Sequence, residues 1–393
     1  MPRASIGEIQ EIVVSYVSEA KQAGAWSGTT EQITGLLNKI AKSVQFDGLF
    51  EDKLPELDGE NLPLGKTIEE YYQDLNAVLD YNNYFADPSN AAQDALKPYY
   101  PQYESPVYNY SLGKKIIPTT MPYDTFEAAS VNAEVAAELA NTVIKRLYDS
   151  FAVFKYDCKK QGLANLVAKC LAVQSTSGAT AYTTNSTVLS RGTRYSQSGL
   201  AYICIKSAAA AINKTLATLA AEGEYVVAVN LVSELAVPTD TSTGEAFVES
   251  VKSYVEKATD ISTEALSGAS IGAVPGADGS GLLLIINQGI LPNIEVNVQA
   301  GAFHLEKIGI PAMVKVIDKW PKKYFDGSTT QTLSSEPYAI LIDRRAVRFH
   351  PTYLGVRDQM NGAGDYLNYF LHTNNTMVIA KNCFVHVWVK PGA

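Results

Sequence analysis

The residues whose spacing comes nearest to a chemical site run from Gly59 to Thr67, in the order Gly-Glu-Asn-Leu-Pro-Leu-Gly-Lys-Thr. A Gly-Lys-Thr ending is typical of the phosphate-binding loop of nucleotide hydrolases, in which backbone amides and the lysine hold the phosphates. That loop has four residues between its first glycine and the Gly-Lys-Thr, but this chain has five. Pro63 also removes an amide from the would-be cradle. A hydrolase or nucleotide-binding enzyme therefore stays only as an alternative interpretation.

No other group of residues has the spacing of a catalytic, cofactor or metal site. The stretch Gly276–Gly281 lacks the dinucleotide-binding pattern and precedes a strand-like run, so it is predicted to be a flexible loop. Adjacent carboxylates such as Glu69 and Glu70 would diverge by about 100° on a helix and would not form an acid–base pair. The histidines lack metal-site spacing; they are His304, His350, His372 and His386. The sequence thus predicts no enzyme: no catalytic residue, no cofactor and no metal.

The composition is that of a globular protein with an acidic balance. Of the 393 residues, 46% are apolar and 19% are charged, and the net charge is -9. Proteins that bind nucleic acid through phosphates are normally basic, so DNA binding is not expected as the main task. No run approaches ~18 apolar residues and no signal peptide is recognisable, so neither a membrane span nor secretion is expected. The four cysteines are far apart, which favours reduced thiols in a cytoplasm.

Arg344, Arg345 and Arg348 form the one notable basic cluster, just after a strand-like run that begins at Tyr338. Two interpretations stand side by side. The cluster is either a solvated end of that strand or a set of partners for carboxylates on another subunit, because guanidinium groups hold planar carboxylates well. Arg344 and Arg345 are therefore candidates for contacts between subunits.

The strongest secondary-structure signal lies between Asp124 and Gln161, a stretch that contains neither glycine nor proline. Apolar residues recur at helical spacing along it, which predicts one amphipathic helix roughly 55 Å long. Asp124 is a suitable N-cap, and Gly162 is expected to follow the last turn. The helix fits either a core position in a large domain or the backbone of a broad, flat subunit.

Residues between Phe46 and Pro122 differ in character from the rest of the chain. Eight prolines fall there, and ten of the 23 tyrosines lie between Tyr71 and Tyr123. Tyrosine is typical of partly wet protein contacts, because its ring buries area while its hydroxyl keeps a polar partner. The segment is either a surface insertion or, as we favour, an extended arm that lies across a neighbouring subunit.

The remaining segments predict α+β architecture. Two short helices, after Ser5 and from Thr29, would form an N-terminal arm. A loop or irregular hairpin is expected from Ser175 to Ser198, and then a buried helix from Ala201 to Ala221 that Gly223 ends. Strands and one helix (Gly244–Lys257) follow; the predicted strands are Tyr225–Val229, Leu282–Ile286, Ile294–Val298, Met313–Ile317, Tyr338–Ile342, Met377–Ala380 and Cys383–Val389. The last two are expected to rejoin an earlier sheet.

Two stretches carry a resemblance to a known family. The first is Leu62-Pro-Leu-Gly-Lys-Thr-Ile-Glu-Glu-Tyr-Tyr72, and the second runs from Asp365-Tyr-Leu-Asn-Tyr-Phe-Leu-His372 through Thr376–Ala380 to Phe384-Val385. Both resemble motifs of the major capsid proteins of small, short-tailed (podovirus-type) double-stranded DNA phages. The close matches cover about a tenth of the chain, while the order of segments agrees along nearly all of it.

The resemblance implies the tailed-phage major capsid protein fold, which encapsulins share. In that fold the predicted long helix would be the spine of a peripheral domain that also holds a sheet, and a mixed sheet flanked by helices would form an axial domain. The implied domains are an N-terminal arm (1–60), an extended loop (61–122), the peripheral domain (123–224), the axial domain (225–344) and a C-terminal return to the peripheral domain (345–393).

The resemblance also implies the function: self-assembly through pentamers and hexamers into the icosahedral shell around a phage DNA genome. Candidate contacts between subunits at the base of the loop are Lys66, Glu69, Glu70, Tyr71 and Tyr72. Expected partners are copies of the chain, scaffolding, portal and decoration proteins, with packaged DNA touched only non-specifically and no membrane. Assembly is expected in the bacterial cytoplasm and residence in the virion. An encapsulin-like compartment and a tail or baseplate protein are the remaining alternatives.

Overall fold

The computed structural model of the chain describes residues 52–63, 68, 72–73, 103–104, 107–122, 133–259, 281–294, 312–326, 329–361, 363–380 and 383–391. Two compact units each collect separate stretches of sequence. The first unit comprises 1–66, 110–160 and 348–377, and the second comprises 67–109, 161–347 and 378–393. The helices predicted before residue 52 lie outside the described residues.

The described residues contain four α-helices: α1 (Ala133–Gln174), α2 (Leu216–Glu222), α3 (Thr241–Thr259) and α4 (Ile290–Asn293). None of them is long and apolar enough to cross a membrane. Helix α3 confirms the helix predicted at Gly244–Lys257. Helix α4 ends where a strand was predicted from Ile294, and the rest of that predicted strand lies outside the described residues.

Helix α1 confirms the long helix, but the predicted end at Gln161 is wrong. The helix passes through Gly162 and continues to Gln174, so that its 42 residues span roughly 63 Å. A glycine inside a helix costs about 1 kcal/mol relative to alanine. Burial of the next turns offsets that cost; the fully buried side chains include Leu163, Ala164, Leu166, Val167 and Cys170. The predicted cap Asp124 lies outside the described residues.

The strands are, in chain order, β1 (Tyr72–Gln73), β2 (Tyr103–Glu104), β3 (Val107–Pro122), β4 (Thr180–Ala181), β5 (Arg194–Gln197), β6 (Leu200–Cys204), β7 (Val226–Ala228), β8 (Val232–Glu234), β9 (Leu282–Asn287), β10 (Met313–Ile317), β11 (Lys323–Asp326), β12 (Thr329–Thr332), β13 (Pro337–Asp343), β14 (Val347–Asn361), β15 (Tyr366–Ala380) and β16 (Val385–Val389). Helices and several separate sheets together confirm the predicted α+β class.

A five-stranded mixed sheet with the order β10-β9-β13-β16-β8 forms the main core of the second unit. Strands β10 and β9 are parallel, β13 is antiparallel to both β9 and β16, and β16 is parallel to β8. Continuous apolar runs form the buried central strands, as expected for a sheet covered on both faces. Phe247 and Val251 of α3 lie in one cluster with Leu284, Leu341 and Trp388. The strands predicted for β9, β10, β13 and β16 are confirmed.

A second sheet of this unit, with the order β4-β5-β6-β7, corrects the helix predicted from Ala201 to Ala221. Residues Ala201–Cys204 pair with β5 and β7 instead, because Tyr202 and Ile203 fit a half-buried pleated surface. Helix α2 is only seven residues long. The hydroxyl of Thr215 accepts a bond from the Thr218 amide at its start, and Gly223 (φ 67°) ends it in the left-handed conformation, as predicted.

The first unit contains three long strands in the order β14-β15-β3. Strand β3 has 16 residues, and β14 and β15 have 15 each. Neither β3 nor β14 was predicted, because Pro118 and Pro351 lie inside them. A proline is tolerated on an edge strand, where its missing amide breaks no ladder. Both strands are edges of this sheet, and proline-free β15 lies between them.

Candidate subunit-interface region

Residues 52–63, which we call the base segment, lead into the Leu62–Tyr72 motif and lie along β14. Asp58 forms a parallel bridge with Phe349. The Gly59 amide donates to the Phe349 carbonyl at 2.8 Å, and the Leu62 amide donates to the Pro351 carbonyl at 3.1 Å. The base segment therefore runs beside the outer edge of β14, joined to it by one isolated bridge and two backbone hydrogen bonds.

At Gly59 the backbone of the base segment lies directly against the side chain of His350 on β14. A Cβ atom at this position would overlap the ring of His350, so only glycine fits without a shift. The His350 Nδ1 atom lies 2.9 Å from the Glu60 carbonyl oxygen. Since a carbonyl only accepts hydrogen bonds, Nδ1 carries the proton in this contact.

A group of charges around the buried ammonium of Lys159 ties the base segment to α1. The Lys159 side chain has no exposed surface, and its ammonium lies 2.6 Å from Asp58 Oδ1 and 2.6 Å from the Leu54 carbonyl oxygen. It also bonds to Asp52. Lys155 lies 2.5 Å from the second oxygen of Asp58. We call Asp52, Asp58, Lys155 and Lys159 the anchor cluster.

Burying the ammonium of Lys159 carries a desolvation cost that its partners must offset. Taking an ammonium out of water is costly, and the attraction of its partners repays that cost only when every proton is bonded. Removing one partner of such a group is strongly destabilising, whereas replacing all of it with apolar residues is often neutral. A cluster of this kind is therefore suited to holding one arrangement of the chain.

The geometry of the base segment disagrees with a phosphate-binding loop. Amides at Gly59 and Leu62, which would have to point at phosphate, are bonded to β14. Gly65, Lys66 and Thr67 lie outside the described residues. Among the residues that the structure does describe, no cluster of three or more His, Cys, Asp or Glu side chains is arranged to hold a metal ion.

Of the predicted contact residues at the loop base, Lys66, Glu69, Glu70 and Tyr71 lie outside the described part of the chain. The backbone of Tyr72 is described and lies in β1, opposite Glu104 of β2. The role of these five residues in contacts between subunits stays a prediction.

Arg344 and Arg345 follow β13 and have different surroundings. Arg345 binds Asp343 through two atoms of its guanidinium, with Nη2 2.7 Å from Oδ2, while half of its own side chain stays exposed. The carboxylate that it holds belongs to its own chain. Arg344 is half-buried, and its Nε atom is buried without a hydrogen-bond partner. Their role between subunits stays a prediction.

The cysteines have the environment of structural thiols. All four are free and buried. Burial raises the pKa of Cys158 and of Cys170 to about 12, so neither is a reactive thiolate at neutral pH. His386, also buried, stacks on Tyr254 with ring centroids 3.4 Å apart, as expected of a core residue rather than a ligand.

An apolar surface on the first unit was missed by the sequence reasoning. Tyr353 and Leu354 on β14 are each 42% exposed, and Met360 further along the strand is 56% exposed. A cleft of about 440 Å³ opens beside Tyr353 and Leu354, and Phe151 and Lys155 of α1 help to line it. The run Tyr353-Leu354 gave no usable signal, because consecutive residues of a strand point to opposite faces and an apolar pair does not indicate which of them is exposed.

Comparison with solved structures shows the fold. The capsid of Staphylococcus phage Andhra is similar over 88% of this chain and 85% of that chain, with 12% identity and a TM-score of 0.56. The capsid of the cyanophage P-SCSP1u covers 88% of this chain and 89% of its own, with 11% identity and a TM-score of 0.45. The mature capsid of bacteriophage PhiM1 covers 89% and 90%, with 8% identity and a TM-score of 0.46. Comparison with curated proteins finds no match.

The family assignment comes from the sequence itself. The profile of the Phi29-like phage major capsid proteins matches residues 27–388, which is most of the chain. It includes both stretches that carried the resemblance, and the capsid fold predicted from them is confirmed. The chain belongs to the Phi29-like phage major capsid proteins, and it is a structural protein that associates with its own copies to form the capsid of the virion.

Proposed function

We propose that the chain assembles through pentamers and hexamers into an icosahedral shell around a double-stranded DNA genome, without catalysing a reaction. Assembly takes place in the cytoplasm of the host bacterium. Scaffolding and portal proteins take part, decoration proteins bind the finished shell, and packaged DNA is contacted only non-specifically. Membership of the capsid family supports the proposal, and the acidic net charge of -9 suits a wall that must not adhere to packed DNA.

The observation that carries the proposal is the pairing of two distant stretches in the tyrosine-rich region. Strand β1 is antiparallel to β2, with Tyr72 opposite Glu104 and Gln73 opposite Tyr103. The Asn109 side chain also donates to the Ile68 carbonyl at 2.8 Å. The chain therefore departs and returns along two adjacent legs, as an extended loop within residues 61–122 requires.

The outgoing leg carries the predicted contact residues Lys66, Glu69, Glu70, Tyr71 and Tyr72. We assign them to contacts with the neighbouring subunit, where tyrosines bury ring area and charged residues set the register. Obligate interfaces bury ~2,000 Å² or more, and an arm laid over a neighbour adds contact area toward that total. Arg344 and Arg345 are proposed as further contact residues.

Removing the loop tests this proposal. Replacing residues 74–102 with a short Gly-Ser linker keeps both legs and deletes the part between them; the wider deletion of Tyr71–Tyr110 removes the legs as well. We expect both proteins to fold, with a cooperative thermal transition, and to form no closed shells in negative-stain micrographs. Shells of normal size from either deletion would contradict the role of the loop.

The substitution Glu70→Lys tests the charge contact at the loop base. We expect it to lower the yield of shells and their resistance to salt more than it changes the solubility of the monomer, because the reversed charge repels its partner. The matched control is Glu245→Lys, which reverses an exposed charge on α3. Equal yields and equal salt resistance for the two variants would show that Glu70 makes no such contact.

The enzyme alternative has its own test. Calorimetric titration of the purified protein with ATP and Mg²⁺ is expected to show no binding, because the Gly59 and Leu62 amides are already bonded. Saturable binding that Lys66→Met abolishes would restore the nucleotide-binding interpretation.

A further inference from the structure

We infer that the anchor cluster is a positioning device for shell assembly: Lys159, held between Asp52 and Asp58, fixes the base segment in one register on α1 and β14. This inference rests on the proposed role of the extended loop, because the base segment is the described stretch of chain that leads into it. The anchor cluster surrounds one buried ammonium with partly exposed partners, and its placement affects assembly beyond its effect on folding.

The three donors of Lys159 are all used. An ammonium group has three protons and no acceptor. Here it faces three acceptors: one carboxylate oxygen of Asp52, Oδ1 of Asp58 and the Leu54 carbonyl oxygen. All three lie on the base segment. The side chain of Lys159 therefore contacts three residues of the base segment at once.

The spacing of these contacts specifies a register. Asp52 and Asp58 flank a short 3₁₀ turn (Pro55–Leu57), and Leu54 and Leu57 in that stretch have no exposed surface. A slip of the base segment by one residue would take both carboxylates away from the ammonium and bury an unpaired charge, which is costly.

Gly59 enforces the same register from the other side. Any other residue of the base segment placed opposite His350 would bring a Cβ atom into the imidazole ring. The ion pairs to Lys159 of α1 and the close contact between Gly59 and His350 of β14 are independent, since the first depends on charge and the second on volume. Both favour the same register of the base segment.

An ordinary ion pair on the surface does not have this property. Lys206 and Glu224 lie 3.0 Å apart, but their side chains are 59% and 53% exposed. Salt screens the attraction within such pairs, and they contribute little to stability. In contrast, the Lys159 side chain is fully buried, with Asp52 12% and Asp58 34% exposed, so salt screens the contacts of Lys159 less than it screens a surface pair.

The experiment compares Asp58→Asn with two controls in the full-length protein. Asp58→Asn keeps the volume and removes the charge; Glu224→Gln does the same at the exposed pair; Val251→Ala destabilises the buried core of the second unit instead. For Asp58→Asn we expect hydrogen exchange of the Gly59 and Leu62 amides to accelerate at least tenfold. We also expect the yield of closed shells to fall at least fivefold, further than for a Val251→Ala protein of equal or lower melting temperature.

A second variant, Gly59→Ala, attacks the register without touching a charge. It is expected to reproduce both effects, whereas Glu224→Gln should match the wild-type protein in both measurements. The inference is overturned if the amides of Gly59 and Leu62 exchange at the wild-type rate in Asp58→Asn and Gly59→Ala. It is also overturned if shell yield simply follows melting temperature across all variants. Failure of the wild-type protein itself to form shells would count against the proposed function instead.

Discussion

The five-stranded sheet of the second unit and the three-stranded sheet of the first unit differ in how much of each strand is buried. Every residue of β13 and β16 is buried. In β14 most residues after His350 are half-buried or exposed, among them Tyr353, Leu354 and Met360. The central strands β13 and β16 thus bury all of their side chains, although Met313 on edge strand β10 of the same sheet is 38% exposed. Strand β14 of the first unit instead presents the neighbouring apolar side chains of Tyr353 and Leu354 to solvent, and adjacent exposed apolar side chains can mark surfaces that bind other proteins.

The polar groups of the two units differ in a parallel way. In the second unit, Trp388 donates to Ser250, and His386 lies 3.0 Å from the Ser233 hydroxyl, so these two contacts within the core join neutral groups. In the first unit, full charges on Lys159 and Asp52 tie a chain segment to a helix. We expect hydrogen bonds between neutral groups to contribute mainly to the stability of a core. We expect a buried charge to disfavour other arrangements of the chain, because each of them would leave that charge unpaired.

The substitution Trp388→Ala is expected to have the largest effect on folding. Trp388 is fully buried, with Phe247 and Tyr254 at centroid distances of 5.5 and 5.8 Å. Removing so large a side chain leaves a cavity, and the free energy of unfolding should fall by about 3–5 kcal/mol in urea titrations. Trp388→Phe serves as the control with a smaller loss. A change below about 1 kcal/mol would mean that this core does not stabilise the second unit as described.

Acid should destabilise the second unit through His386. Burial, reinforced by the charge of Lys257, lowers the pKa of His386 to about 3. In the unfolded chain the pKa is about 6.5. Below pH 6.5 the imidazole is protonated in the unfolded state but stays neutral in the folded state. The free energy of unfolding therefore falls as the pH drops from about 6.5 toward 3. At pH 5 the loss is about 2 kcal/mol.

The measurement for His386 is the free energy of unfolding at pH 7.5 and at pH 5, in the wild-type protein and in His386→Gln. The variant should be less stable at pH 7.5, because it loses the stacking on Tyr254. It should also lose about 2 kcal/mol less between the two pH values than the wild-type protein does. An identical pH dependence in both proteins would assign the acid sensitivity to other groups.

A smaller effect is expected at the start of α2 in the second unit. The Thr215 hydroxyl accepts a hydrogen bond from the Thr218 amide at 3.2 Å. Thr215→Ala leaves that amide without its cap, which costs about 1 kcal/mol, whereas Thr215→Ser should retain most of it. Thermal unfolding of the two variants provides the measurement. Equal melting temperatures would show that the cap contributes nothing.

The smallest effect on folding, and a large one on association, is expected on β14. Tyr353→Ser and Leu354→Ser alter side chains that are 42% exposed. Surface changes of this kind usually shift the free energy of unfolding by no more than about 0.5 kcal/mol. If the exposed surface contacts other copies, sedimentation should show fewer shells. A protein that carries both substitutions and still forms shells in normal yield would show that the exposed apolar side chains of β14 do not contact other copies.

The sequence determined those elements whose residues decide their structure locally. The long apolar stripe of α1, the continuous apolar runs of β9, β13 and β16, and the stop at Gly223 each have a signal within a few residues. The motif from Leu62 to Tyr72 also indicated the protein family, which secondary-structure propensities alone do not indicate.

Only the tertiary structure decided the features that depend on distant partners. Helix α1 continues past Gly162 because burial outweighs a local penalty, and Ala201–Cys204 becomes a strand because β5 and β7 lie on either side of it. The prolines of β3 and β14 are harmless only because those strands are edges of their sheet. Lys159 and Asp52 are 107 positions apart in the sequence, and nothing in their local neighbourhoods indicates that they meet. Local patterns fix the type of an element, whereas its length, its neighbours and its buried charges depend on what folding brings against it.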